Sequence, residues 1–229
     1  MTATFDHAAP APAGATPGPA AGPAPRPGAG PSPGPGGGPG PGGLLDLPAF
    51  RDDFDRLASV TLDPARHTSP DARAHSLAVA RRARALARAA GLGPAEARRL
   101  DDLALVHDIG KLSGTGAPSA SVERLGRYGL TDPSFVELVR FHDINLPWYQ
   151  SRARAEAPSD RAWAKLARRV DLRLLALFMV ADRVDCPGGF RANAPLLWFL
   201  GEARARGLVG DDVPPPCDDD EEREAYHGE

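Results

Sequence analysis

His107 and Asp108 stand side by side at the end of an apolar stretch, Leu103 to Leu112, which reads LALVHDIGKL. An imidazole and a carboxylate buried together need partners, because an unpaired buried charge is expensive. One divalent cation would serve both. Further donors fall at inward positions of two other segments: His75, and Asp182 in LFMVADRVD, with Asp185 competing one turn later. Each has a plainer reading by itself. His75 could be a hydrogen-bonded core histidine, and Asp182 could cap a helix or pair with an arginine. Two imidazoles and two carboxylates on separate buried helices fit one divalent ion better than four unrelated occurrences.

The elements that would carry these residues read as helices. β-Branched residues are few, sustained alternation is absent, and no Asn-Gly hairpin signal occurs. Pro48 to Val60 predicts a first short helix. Ser69-Pro70 predicts a cap followed by proline at the first helical position, with the helix running to Ala90 and stopped by Gly91. Ala72, His75, Val79, Ala83, Leu86 and Ala90 share one of its faces. Pro94 starts a helix that carries Leu100, Leu103, Ala104 and His107 inward. A loop over Lys111 to Ser121 leads to a short helix around Val122 to Tyr128. Asp132-Pro133 opens another, with Phe135, Leu138, Val139 and His142 on one face. Asn145 to Pro158 reads as irregular, Ser159 to Arg183 as a long helical region broken near Val170, and Ala194 to Ala205 as the last helix. The expectation is an all-α domain of six or seven helices.

Composition divides the chain into three. Residues 1–43 are dominated by Ala, Pro and Gly and lack the apolar side chains that offset the entropy of ordering. They read as a disordered arm. Residues 211–229 carry nine acidic residues and one arginine and read as a solvated acidic tail. The domain is then 44–210, long enough to bury a core. The whole chain is at −3 and the tail at −8, while Asp6 and Arg26 cancel in the arm, which leaves the domain at +5. That mild positive balance suits a small anion but not duplex nucleic acid. Two cysteines, one of them in the tail, make neither a disulfide framework nor a zinc cluster. The start lacks a secretory signal, and the longest apolar run, Leu174 to Ala181, is too short to span a bilayer. The expected setting is cytoplasmic, with no membrane partner; nothing bears on oligomeric state.

The phrases AHSLAVARRARALA, LALVHDIGK and LLALFMVADRVD, in that order, resemble the HD superfamily of metal-dependent phosphohydrolases. The resemblance covers Arg66 to Pro187. It implies an all-helical HD-type fold whose metal is held by His75, His107, Asp108 and Asp182 and at which phosphate esters are hydrolysed. The donor set agrees. Nitrogen and oxygen ligands without thiolate suit Mn, Mg, Fe, Co, Ni or Zn. Water on such an ion is acidified and can attack phosphorus. Asp108 could bridge a second ion or orient that water.

Lys111 is one of only two lysines beside 25 arginines. It reads either as a point charge for a substrate phosphate or as an exposed loop residue. His142-Asp143, in LVRFHDIN, is a second His-Asp pair, and its phrase is similar to the HD subdomain of bacterial tRNA nucleotidyltransferases, without their transferase head. His142 could bind a second metal, protonate the leaving group, contact phosphate, or be structural. Gly110-Lys111 stands where guanosine tetraphosphate hydrolases of this type carry an acidic pair and single-metal 5′-nucleotidases a glutamate. Asp143 to Pro147 lacks the Gly-Tyr-Pro of cyclic-di-GMP phosphodiesterases. The expected partner is a small phosphorylated substrate, with nucleotides among the candidates. The rival reading is a metal-binding regulatory module without turnover. The run Arg81, Arg82, Arg84, Arg88 reads as a solvated helix face, and Trp148 and Tyr149 as packing residues rather than a base-stacking platform.

Overall fold

The computed structural model describes residues 43–215. The arm before them and the acidic run after them were read as disordered and lie outside the described residues. Nine α-helices occur among the described residues: α1 (Pro48–Arg56), α2 (Ala72–Ala89), α3 (Pro94–Val106), α4 (Pro118–Leu125), α5 (Pro133–Phe141), α6 (Asn145–Ala153), α7 (Asp160–Ala167), α8 (Leu172–Ala181) and α9 (Ala194–Ala205). The only extended pairing among these residues is an isolated bridge between Thr61 and Asp71. No helix among them is long and apolar enough to cross a membrane.

The sequence reading of six or seven helices needs correcting in three places. The segment from Asn145, read as irregular, is helix α6 to Ala153. Its Trp148 packs edge-on against Trp163 of α7, with ring centroids 4.7 Å apart, so tertiary burial of an aromatic overrides the helix-poor look of the stretch. The break read near Val170 is present and makes the region from Ser159 two helices. Ser159 caps α7, Asp171 caps α8 through Leu174 N, and the break falls at the residue before that cap, Val170. Helix α2 begins at Ala72 rather than Pro70, because Asp71 provides the cap: its Oδ1 accepts the Ala74 N–H at 2.8 Å. The 111–121 loop is largely helical, with a 3-10 turn over Ile109–Ser113 and α4 already starting at Pro118. Val213 is fully buried, so packing continues past Gly210 into the first residues of the stretch read as tail.

Helix α8 is the centre of the core. Every residue from Leu174 to Ala181 is buried, as a helix that is apolar all round must be. Helices α2 and α3 pack on one another and on α8. This three-helix junction brings together the segments that carry His75, His107-Asp108 and Asp182. Arg82, read as part of a solvated face, is instead buried on α2; Arg81, Arg84 and Arg88 are exposed.

Candidate metal centre

His75 lies one turn into α2, His107 caps the C-terminus of α3, Asp108 follows it, and Asp182 caps the C-terminus of α8. All four are buried. Donor atoms of His75, His107 and Asp108 lie within 4.8 Å of one another. His75 Nε2 is 3.3 Å from His107 Nε2 and 3.7 Å from Asp108 Oδ2. His107 Nε2 is 3.3 Å from Asp108 Oδ2. Asp182 Oδ1 approaches both imidazoles, at 3.2 Å from His75 Nε2 and 3.3 Å from His107 Nε2. Ligands held ~2.0–2.2 Å from one ion sit roughly 3.0–3.6 Å from their neighbours, and four of the five separations here fall in that range, with the fifth at 3.7 Å.

The other ring nitrogens define the tautomers. His107 Nδ1–H donates to the carbonyl of Ala104 at 2.9 Å, and His75 Nδ1–H donates to Asp185 Oδ2 at 3.0 Å. Both acceptors can only accept, so in the neutral rings each Nε2 carries its lone pair and faces the other ring. Four electron-rich atoms thus converge in a buried space. Such a cluster requires positive charge. Burial alone would lower the histidine pKa values, yet Asp182 and Asp185 raise His75, and Asp108 with Asp182 carries His107 up to about 10. Burial likewise opposes ionisation of Asp108 and Asp182. Against it, His107 with Lys111 and His75 holds Asp108 below the usual carboxylate range, and Arg183 with the two histidines does the same for Asp182. A field that pulls protons onto two imidazoles while keeping two carboxylates ionised is a field for a cation. The donor set therefore fits a divalent metal.

Lys111, on the 3-10 turn after Asp108, donates from Nζ to Asp108 Oδ2 at 2.6 Å. It belongs to the cluster and is not a free loop lysine. His142 caps α5 and is buried. Its Nδ1–H donates to Val139 O at 2.7 Å, and its ring lies edge-on to His107 with centroids 5.4 Å apart. Burial, with the positive character of His107, lowers its pKa, so the ring is neutral. Phe178 of α8 packs edge-on against both His107 and His142.

Three contributions were missed or left open in the sequence. Asp185, the competing candidate, supports His75 from behind: it accepts from His75 Nδ1 on one oxygen and from His67 Nδ1, at 3.2 Å, on the other. Arg183 joins the two halves of the site, with Nη1 3.1 Å from Asp182 Oδ2 and Nη2 3.3 Å from Asp143 Oδ1. Asp143 of the second His-Asp pair thus braces Arg183. Ser121 of α4 locks the turn: it accepts the Gly110 N–H at 2.9 Å and donates to His107 O at 2.6 Å. Asp185 stood out in the sequence as the competing candidate, Asp143 as part of the second His-Asp pair and Arg183 by its adjacency to Asp182; His67 and Ser121 gave no signal.

Comparison with known proteins agrees with the geometry. The sequence model of the HD domain family matches residues 73–186, from the start of α2 to just past α8. It spans all four converging donors. No curated protein and no solved structure matches the chain.

Proposed function

We propose, from the match of residues 73–186 to the HD domain family, that the chain is a metal-dependent phosphohydrolase acting on small phosphate esters, with His75, His107, Asp108 and Asp182 as the metal ligands. The observation that carries the reading is the convergence of two imidazole lone pairs and two carboxylate oxygens, with neighbouring atoms 3.2 to 3.7 Å apart in a buried space. A divalent ion there would acidify a bound water and neutralise a phosphate oxygen.

The protein's own groups then have separate tasks. Ala104 O and Asp185 hold the two imidazoles in the tautomer that presents Nε2, as partners behind metal-binding histidines generally do. Lys111 fixes Asp108 and places a positive charge at the edge of the site, where a phosphate oxygen can share it. His142 keeps Nδ1–H on Val139 O, which leaves the Nε2 lone pair of the neutral ring free to take a proton from the attacking water and hand it on to the leaving oxygen. In the reaction the water oxygen bonds to phosphorus, the ester P–O bond breaks, and the alcohol leaves with a proton.

Elemental analysis of the purified protein, together with a panel of phosphomonoesters and phosphodiesters, tests the reading. The expected result is bound divalent metal and turnover of at least one ester, both lost in Asp108→Ala while helical circular dichroism is retained. Metal without turnover of any ester would make the chain a binding module instead, and turnover by a metal-free Asp108→Ala would remove the metal from the mechanism.

A further inference from the structure

Beside the converging donors lies a groove of about 340 Å³, bounded by the turn before α2 and the loop after the HD turn. Its polar lining includes Arg66, His67, Lys111, Thr61 and Thr115. Its only acid is Asp63, whose Oδ1 is engaged by the Ala65 N–H at 2.9 Å. Arg66 is exposed, and its guanidinium has no ion pair or hydrogen bond among the described residues. The volume lies toward the small end of ligand pockets, and a guanidinium, an ammonium and an imidazole beside two hydroxyls suit a phosphate.

The groove is tied rigidly to the metal centre from two sides. Lys111 lines it and also binds Asp108 at 2.6 Å. His67 lines it and binds Asp185, which in turn binds His75. The backbone of the same turn is pinned where Thr68 N–H donates to Asp185 O at 2.8 Å. A closed turn on Asp63, with Arg66 N–H and His67 N–H both donating to Asp63 O, presents the two side chains together. Lys111 therefore touches the donor cluster and also lines the groove that Arg66 and His67 share.

We propose that this groove holds a second phosphate of the substrate, so that the preferred substrates carry two phosphates on one small scaffold, one at the metal and one on Arg66 and His67. The proposal rests on the phosphohydrolase reading. It makes Arg66 a specificity-determining residue rather than a participant in bond cleavage.

The test compares adenosine 3′,5′-bisphosphate with adenosine 5′-phosphate on the metal-loaded full chain and on its Arg66→Ala variant. The expected result is a kcat/KM at least tenfold higher for the bisphosphate in the unmodified protein. In Arg66→Ala most of that preference disappears, through KM rather than kcat, with metal content unaltered. Equal rates on the two compounds, or an equal loss on both in the variant, would overturn it. If neither compound is hydrolysed, the phosphohydrolase reading has failed for these esters, and calorimetry with the bisphosphate decides the groove separately. Binding that weakens tenfold or more in Arg66→Ala supports the second-phosphate site, and no binding, or binding indifferent to the variant, refutes it.

Discussion

Asp185 accepts the Nδ1–H of His75 at 3.0 Å and thereby points the Nε2 of that ring at His107. Asp182 and Asp185 are three residues apart and chemically identical, yet one faces the converging donors and the other stands behind a histidine. Groups behind metal ligands typically contribute 10–100-fold to metal affinity. Asp185→Asn is therefore expected to weaken divalent metal binding by roughly that factor without abolishing it, whereas Asp182→Asn removes a proposed ligand and costs more. Competition with a metal-sensitive dye measures both. Equal affinities in Asp185→Asn and the unmodified chain would contradict the assignment.

Metal removal should also show in stability. The converging donors join the ends of α2, α3 and α8, so a bound ion ties together three helices otherwise held by packing and a few polar contacts. A ligand present at about a hundred times its Kd stabilises by roughly 2.7 kcal/mol. Chelation is expected to lower Tm by several degrees, with recovery on adding back Mn²⁺ or Zn²⁺. A Tm indifferent to chelator in a protein shown to contain metal would contradict the placement of the ion at this junction.

Gly110 is required by close packing. A Cβ there would lie 2.4 Å from Ser121 N and 2.6 Å from the Ala120 carbonyl carbon, both of them backbone atoms of α4. Neither can yield cheaply, because Ser121 also holds the carbonyl of His107. Gly110→Ala should destabilise the fold by about 1–3 kcal/mol, in the range of overpacked cores, and should displace the His107-Asp108 turn. Denaturant unfolding with a parallel metal titration checks both effects, and a neutral substitution would contradict the tight contact.

Asp102, on α3 away from the metal centre, gives a pH dependence of defined sign. Burial foremost, with the neighbouring Asp101 charge adding and Arg98 opposing, pushes its carboxyl up to about 6 from an ordinary 3.8. Folding thus favours the protonated form. Its contribution is complete below about pH 4 and is lost as pH rises through 6. Asp102→Asn should accordingly stabilise the protein near neutral pH, by on the order of 2 kcal/mol at most, and give no gain in mild acid. Unfolding free energies of the two proteins across that range would expose the opposite trend if it existed.

Much of this molecule is legible along the chain. Helix caps, prolines at first turns and glycine stops are local chemistry, so α3, α5 and α9 start where Pro94, Asp132-Pro133 and Asn193 place them. The inward faces followed from helical period, and with them the four donors His75, His107, Asp108 and Asp182. What tertiary structure alone decided was the division of labour around those four. Whether Asp182 or Asp185 turns inward depends on how the end of α8 meets α2, and no local pattern encodes that angle. That Asp143 braces Arg183 from another helix end, and that Arg82 is buried while Arg81 and Arg84 are exposed, are outcomes of helix-on-helix packing; Lys111 closes on Asp108 three residues away, within the turn that follows α3. Helix α6 escaped detection for the same reason: the burial of Trp148 against α7 and α9 is a long-range contact, and it outweighs weak local propensity.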